Sequence, residues 1–313
     1  MALGPGTSDI TPSLVNPPSM PAATETVRRQ FDARATRLAG HDFLLGEIRS
    51  RLIERLGLMK LAPRRVLDVG CGAGASREVI AQRYAQADWL GFDLSTAMLV
   101  QGRPQGLAAT WSRWRGRAPQ LVCAEASALP LAPASVDLLL SNLMLHWHPR
   151  PHTVFPEWCR VLASDGLLLF SVFGPDTGKE LRAAWRAAGL AGAPMSFVDM
   201  HDFGDMMVAA GLATPVMDVE TIRLTYASPQ DLIAEVRALG GNPRNDRLAH
   251  LPSGRAARAL HAELESMRDA DGRIALSFEV AYGHAWKPAP RAVSKPGEAK
   301  VSLDRLRAGL PPR

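Results

Sequence analysis

Three carboxylates, Asp68, Asp93 and Glu125, stand at or just past the ends of apolar runs in the first half of the chain, each placed to face a polar ligand. Asp68 belongs to Val66-Leu67-Asp68-Val69, which opens into Gly70-Cys71-Gly72-Ala73-Gly74, with a glycine at every second position. Glycine adopts positive φ and lets a ligand lie against bare backbone. Ala75 to Ala81 then reads as an opening helix, whose first N–H groups lack intrahelical partners. A strand, a glycine turn and a helix make the front of a nucleotide-binding βα unit. The spacing G-x-G-x-G differs from the dinucleotide fingerprint G-x-G-x-x-G and favours a ligand without a pyrophosphate. Asp93 closes Ala87-Asp88-Trp89-Leu90-Gly91-Phe92-Asp93, about 20 residues past the glycines, where an acid accepts from the two hydroxyls of a ribose. Leu94 and Ser95 follow, with Ser95 as the expected cap of the next helix. Glu125, within Val122–Pro130, is placed to accept from an adenine amino group. Val136-Asp137-Leu138-Leu139-Leu140-Ser141-Asn142 reads as a buried strand leading to Leu145-His146-Trp147.

Four stations in this order and spacing resemble the class I S-adenosylmethionine-dependent methyltransferases. The resemblance implies that Asp68, Gly70, Gly72 and Gly74 hold the methionine portion of S-adenosylmethionine, Asp93 the ribose and Glu125 the adenine. Leu94, Ala126 and Asn142 complete the implied cofactor set. Further along, Phe173-Gly174-Pro175-Asp176-Thr177-Gly178-Lys179-Glu180-Leu181-Arg182 looks like the Phe-Gly-x-Asp-Thr-Leu-x-Glu-Leu-Arg element of biotin-pathway malonyl-acyl-carrier-protein O-methyltransferases, with Gly178 where leucine is usual. Leu143–Trp147, Asp199–Asp205 and Tyr282–Trp286 are similar to segments of the same family. Methylation of the free carboxylate of malonyl-acyl-carrier protein, at the start of pimeloyl synthesis, is what this implies. A carboxylate is already nucleophilic and needs positioning more than a base. Arg182 is the candidate to hold the malonyl carboxylate through a bidentate pair, and Trp147 the candidate wall of the acceptor pocket. His146 and His148 are candidate bases, with a structural or exposed role favoured. His201 and Asp202 either shape the pocket entrance or cap a helix, the cap being favoured for Asp202. An acidic acyl-carrier protein would be drawn to Arg244, Arg247, Arg255 and Arg258.

Two alternatives share the scaffold. Mitochondrial complex I assembly factors that hydroxylate a protein arginine carry the same Leu-His-Trp and Phe-Gly-x-Asp-Thr-Leu patterns, and the other alternative is a small-molecule methyltransferase acting on a quinone or lipid. A non-catalytic protein that keeps S-adenosylmethionine as a structural ligand is disfavoured by the intact glycines and acids.

Positioning such a site requires an alternating strand–helix chain. Strands are expected near 65–69, 89–93, 120–123, 136–141 and 167–173, with late strands at Val216–Leu224 and Ile274–Trp286. The expected fold is α/β, a Rossmann-like methyltransferase sheet, mostly parallel with a late antiparallel strand. Helices over Val27–Leu58 cover it, and a helical insertion falls at about 229–271. Residues 1–24 read as a disordered N-terminal segment and 288–313 as a disordered basic tail around one domain, 25–287.

With 313 residues and 47% apolar content, the chain has enough for a large core. No apolar run reaches membrane-spanning length. Cys71, Cys123 and Cys159 show no metal spacing, and no metal is expected; Cys71 and Cys123 read as small buried residues of a cytoplasmic protein. The net charge is +5, mostly from arginine. The loop after the fourth strand lacks the Asp/Asn-Pro-Pro-aromatic signature of amino-group methyltransferases, which argues against a nucleic-acid partner. The Trp- and Arg-bearing stretch Arg103–Arg117 reads as a surface loop.

Overall fold

Strands that are buried on both faces must be apolar along their whole length. β1 (Arg65–Val69), β4 (Val136–Asn142) and β5 (Leu162–Phe173) each carry such a buried apolar run, with polar residues toward their ends, and form the centre of the sheet. Side chains alternate between the two faces. Val66, Leu138, Leu140, Leu167 and Leu169 pack on one face with Leu44, Ile48 and Leu52. Leu67, Val69, Leu139, Leu168 and Phe170 pack on the other with Phe155, Trp158 and Phe203.

The computed structural model describes residues 22–38, 42–103, 120–190, 197–240 and 254–289. Segments 1–21 and 290–313, most of the Arg103–Arg117 stretch, Arg244 and Arg247 lie outside the described residues. The chain begins with α1 (Ala22–Asp32), α2 (Ala35–Leu38) and α3 (Asp42–Glu54), so α1 starts earlier than the Val27 expected from periodicity. After β1 come α4 (Arg77–Arg83), β2 (Asp88–Asp93), α5 (Thr96–Gln101), β3 (Gln120–Cys123), β4, α6 (Val154–Val161) and β5. Then follow α7 (Lys179–Ala187), α8 (Met200–Ala209), β6 (Ala213–Tyr226), α9 (Pro229–Leu239), α10 (Arg255–Ser266) and β7 (Ile274–Trp286).

The seven strands run in the order β3-β2-β1-β4-β5-β7-β6. β1 pairs in parallel with β2 and β4, whereas β7 lies antiparallel between β5 and β6. The expected parallel α/β sheet with one late antiparallel strand is therefore present. The order reverses between β1 and β4, and in open α/β sheets that switch point opens a ligand crevice at the carboxyl ends of the strands. Of the insertion, α9 and α10 are described.

Local signals explain the helix starts. Ser95 caps α5, its Oγ accepting from Met98 N at 3.1 Å, as its position suggests. For α8 the cap is Asp199, which accepts from His201 N at 2.9 Å; Asp202 sits inside the first turn instead. The extended φ of Asp199, −69° with ψ 150°, is the geometry a cap requires. Cys71 is buried as expected, but Cys123 is exposed at the end of β3, its Sγ donating to Leu94 O at 3.5 Å. Among the described residues no helix is long and apolar enough to cross a membrane.

Where β7 crosses β5 and β6, backbone lies hard against side chains. A Cβ on Gly283 would run into the Phe170 ring and come within 2.8 Å of Met217 Sδ. Gly283→Val should therefore destabilise the protein by about 1–3 kcal/mol through overpacking, read as a lower midpoint in urea unfolding with an unchanged slope.

Candidate active site

A cavity of about 400 Å³ opens at the β1/β4 switch point. Its floor is the loop after β1, its rim the ends of β2, β3 and β4, and its roof the helices α1–α3 with the end of α9. The expected residues Asp68, Gly70, Gly72, Asp93, Leu94, Glu125, Ala126, Asn142 and Trp147 all line it.

The glycine loop is shaped by backbone conformation. Gly70, Gly72 and Gly74 have φ of +77°, +56° and +78°, a left-handed region that non-glycine residues rarely enter. Gly70 N and Cys71 N both donate to Phe92 O, at 2.7 and 3.0 Å, which ties the loop to the end of β2. Gly74 is not in the lining. It turns the chain into α4, with Gly74 N on Cys71 O at 2.8 Å and Trp89 packed beside it. All three glycines of the loop thus serve the turn, but only Gly70 and Gly72 face the cavity.

Each carboxylate is anchored by the chain. Asp68, 4% exposed, accepts from Ser76 Oγ, which in turn accepts from Trp89 Nε1 at 3.2 Å. Burial pushes the Asp68 pKa up to about 7, against the lowering by Ser76; Asp93 adds to the rise and Arg49 opposes it. Asp93 accepts from Gly72 N and Ser95 N, both at 2.8 Å, and burial raises its pKa as well. Glu125 accepts from Ser127 N at 2.7 Å and from Ser127 Oγ, and meets His148 Nε2 at 2.7 Å. Because Arg150 N donates to His148 Nδ1 at 3.1 Å, that nitrogen is the acceptor and Nε2 carries the proton toward Glu125. Burial pulls the Glu125 pKa upward, but hydrogen bonds from His148 and Ser127 outweigh it and hold the carboxyl below its usual range.

Asn142 joins roof to sheet, donating to Leu45 O at 3.3 Å and accepting from Ser171 Oγ at 2.8 Å. The next residue, Leu143, has φ +53° and lines the cavity. A leucine held in that conformation is strained, and strain of this kind persists where neighbouring structure enforces it. Here Leu143 N donates to Ser171 O at 3.0 Å.

Arg182 takes no part in the cavity. Its guanidinium donates to Pro175 O at 2.7 Å and to Thr177 O, so it braces the turn before its own helix. The whole Phe173–Arg182 element is a clamp. Thr177 Oγ1 and Glu279 exchange hydrogen bonds at 2.9 and 3.0 Å, and Glu180 accepts from Ser277 N and Oγ at 3.0 and 2.6 Å. Gly178, with φ +71°, donates its N–H to Ser277 O at 2.7 Å; the left-handed turn accounts for glycine at this position. His201 and Asp202 are likewise outside the lining.

Trp147 does wall the cavity, packed edge-on to Phe31 at 5.1 Å and 86°. The Arg34 guanidinium lies 5.6 Å from the Trp147 ring centroid, and Arg34 Nη2 donates to Gly240 O at 3.1 Å. Gly240 has φ +111°, and a Cβ there would reach within 2.7 Å of Trp147 Cζ2. Arg49, the arginine among the described lining residues, is a site residue the sequence does not mark, and His146, a candidate base with a structural or exposed role favoured, also lines the cavity. His146 is buried, and burial pushes its pKa down to about 3. The signal for His146 was present in the Leu-His-Trp turn after β4. Arg49 carries none, because nothing in the sequence separates it from Arg51 on the same helix.

The geometry suits S-adenosylmethionine. A nucleoside with a charged amino-acid arm needs polar acceptors spaced along a crevice with bare backbone between them, and Asp68, Asp93 and Glu125 provide that spacing around Gly70 and Gly72. Among the described residues no group of three His, Cys, Asp or Glu side chains is arranged to hold a metal ion.

The family described as "Methyltransferase domain" matches residues 67–170. The malonyl-[acyl-carrier protein] O-methyltransferase of Laribacter hongkongensis is 43% identical over 85% of this chain and 90% of its own length. That of a Methylovorus species is 39% identical over 88% and 93%. Among solved structures, the YcgJ protein of Bacillus subtilis superposes with a TM-score of 0.52 at 16% identity, over 76% of this chain and 98% of its own. A phosphoethanolamine N-methyltransferase of Haemonchus contortus, solved with S-adenosylhomocysteine, gives 0.51 at 17% identity, over 84% and 60%.

Buried Asp68 yields a test that needs no ligand. The folded state retains a proton there up to about pH 7, whereas an unfolded aspartate releases it near pH 4. The unfolded state therefore binds fewer protons in that window, and this residue's contribution to stability falls as pH rises through it. Asp68→Asn should gain stability relative to wild type between pH 5 and pH 7.5 in urea unfolding of the ligand-free protein. A constant difference between the two would contradict the buried, proton-holding state.

Glycine loop, strand order and curated relatives agree: the chain belongs to the malonyl-[acyl-carrier protein] O-methyltransferase family of S-adenosylmethionine-dependent methyltransferases.

Proposed function

We propose that this protein transfers a methyl group to the free carboxylate of a malonyl thioester carried on acyl-carrier protein. The observation that carries the reading is a single cavity wall divided between two chemistries: carboxylates and glycines at the ends of β1–β3, and the apolar surface of Phe31, Leu38, Leu52, Ile53, Trp147, Phe173 and Leu239 beneath the roof helices. In this reading Asp68 faces the methionine amino group, Asp93 the ribose hydroxyls and Glu125 the adenine, with Gly70 and Gly72 giving the backbone surface.

S-adenosylmethionine supplies an electrophilic methyl on a sulfonium. The malonyl carboxylate provides the electron pair for the new O–CH₃ bond as the methyl–sulfur bond breaks and its electrons stay on sulfur. A neutral ester and a neutral thioether result, and no proton moves. The protein's part is alignment and exclusion of water. Opposite charges are lost along this path, so an apolar pocket favours the transition state over the separated ions.

Masking the carboxylate converts a charged acyl group into one that resembles a fatty-acid primer. The carrier, an acidic protein, is expected to meet exposed arginines such as Arg255 and Arg258 at the start of α10. Free cysteines among the described residues are in keeping with a cytoplasmic setting.

Mass spectrometry of the carrier after incubation with enzyme and S-adenosylmethionine should show one added methyl on malonyl-acyl-carrier protein and none on the acetyl form. Methylation of neither, with S-adenosylhomocysteine still bound, would reject this acceptor. Asp93→Ala should weaken S-adenosylhomocysteine binding roughly ten- to a hundred-fold, the worth of hydrogen bonds to a charged acceptor. Unchanged affinity by calorimetry would remove the ribose assignment.

A further inference from the structure

A flexible carboxylate orients a ligand only when its own rotation is stopped, and each of its oxygens carries about two acceptor sites. Ser127 holds one oxygen of Glu125: its N, at 2.7 Å, and its Oγ both donate to Oε2. On that anchor alone the carboxyl group could still turn. His148 stops it, Nε2 donating to Oε1 at 2.7 Å. The ring is itself held. His148 closes the turn Leu145–Trp147, its N donating to Leu145 O at 3.1 Å, and Pro149 confines it to the extended backbone it adopts, φ −73° and ψ 129°. Arg150 N donates to Nδ1 at 3.1 Å, so the proton sits on the nitrogen that meets Glu125. Glu125, His148 and Pro149 all line the cavity. The Glu125 side chain is 17% exposed and that of His148 7%, so the carboxylate is the more open of the pair to a ligand. Among the described residues Oε2 has its acceptor sites filled, whereas Oε1 keeps one open.

We infer that His148 is a positioning residue for the cofactor: by fixing the Glu125 carboxylate it makes this end of the cavity select a base that carries an amino group. The inference deepens the proposed function and rests on its assignment of Glu125 to the adenine. An exocyclic amino group can donate to the open site on Oε1. A base with a carbonyl in the same place, such as hypoxanthine, would set an oxygen against the carboxylate, two acceptors with no hydrogen between them. A carboxylate free to rotate would turn away from that oxygen and discriminate less. Burial raises the Glu125 pKa, and the bond from His148 is the largest effect opposing it, so the group stays an acceptor. The same bond commits the ring. With Nδ1 accepting from Arg150, the N–H of His148 is spent on Glu125, which leaves it no part as a base toward the acceptor. A carboxylate nucleophile needs none.

The test uses two amides of different reach, His148→Gln and His148→Asn, together with Glu125→Ala, all in the full-length chain. Gln places an N–H close to the position of Nε2, whereas Asn falls short of Glu125. Calorimetry gives the affinities for S-adenosylhomocysteine and S-inosylhomocysteine, which differ only at the base, and melting of the ligand-free proteins gives their stability. Wild type should prefer the adenine ligand by about ten-fold or more, the worth of one hydrogen bond to a charged acceptor. In His148→Asn that preference should shrink by roughly three- to ten-fold, and His148→Gln should keep most of it. An Asn variant whose preference stays within about two-fold of wild type overturns this inference. The assignment of Glu125 survives that outcome if Glu125→Ala still loses the preference. Equal weakening of both ligands in both His148 variants, in step with melting temperature, would make the ring a packing group and overturn the inference too. A wild type without preference, or a Glu125→Ala variant that keeps it, overturns the adenine assignment and this inference with it.

Discussion

A carboxylate buried at the end of a central strand is expensive, and much of this molecule is arranged around keeping Asp68 there. The chain Trp89 Nε1 to Ser76 Oγ to Asp68 holds the group from one side, and Arg49 from α3 lies near enough to act on it from the other. Ser76 spends its hydroxyl on Asp68 instead of capping α4. Trp89 can reach across because Gly91 and Gly74 leave room beside its ring. The loop between is then pulled onto β2 by Phe92 O, which brings Gly72 N to Asp93 and completes a second anchored acid. One buried carboxyl group thus organises two strands, a turn and a helix start.

The roof is held to that floor by polar contacts of a different kind. Asp32 at the end of α1 accepts from Ser95 Oγ at 2.6 Å and from Ala97 N at 3.3 Å, while Arg28 grips its other oxygen at 2.9 Å. The end of α3 and the turn after it are fastened by Arg51 to Glu220 and Arg55 to Asp218, at 2.7 and 2.6 Å, and Arg55 lies 3.6 Å over the Tyr282 ring. Such pairs are partly exposed and add modest stability. Their value is geometric, since they seat an apolar roof over a polar floor without filling the space between.

Much of this could be read from residue order alone. Alternating apolar runs and helices gave the sheet, and the acids at strand ends sit where a parallel sheet opens, so Asp68, Asp93 and Glu125 were legible without coordinates. Contacts between distant segments were not. Arg182 belongs to a motif with a strong family signature, yet its donors face Pro175 and Thr177 because the turn before α7 leaves carbonyls in reach. Asp202 has the chemistry of a cap, but Asp199 holds the extended conformation the position needs. His146 and His148 are two residues apart in one turn and have opposite fates. One meets Glu125; the other faces only rings. Sequence spacing does not separate them, because the difference lies in what β3, β5 and the segment before α8 bring alongside.

The central claim is that one cavity holds a nucleoside against the carboxylates and an acyl carboxylate against the aromatic wall. A crystal structure of the ternary complex with S-adenosylhomocysteine and malonyl-pantetheine tests it most directly. The ribose is expected on Asp93 and the malonyl carboxylate between the sulfur and the Trp147 wall. A malonyl group bound outside this cavity, or a cofactor turned with its adenine toward Trp147, would contradict it.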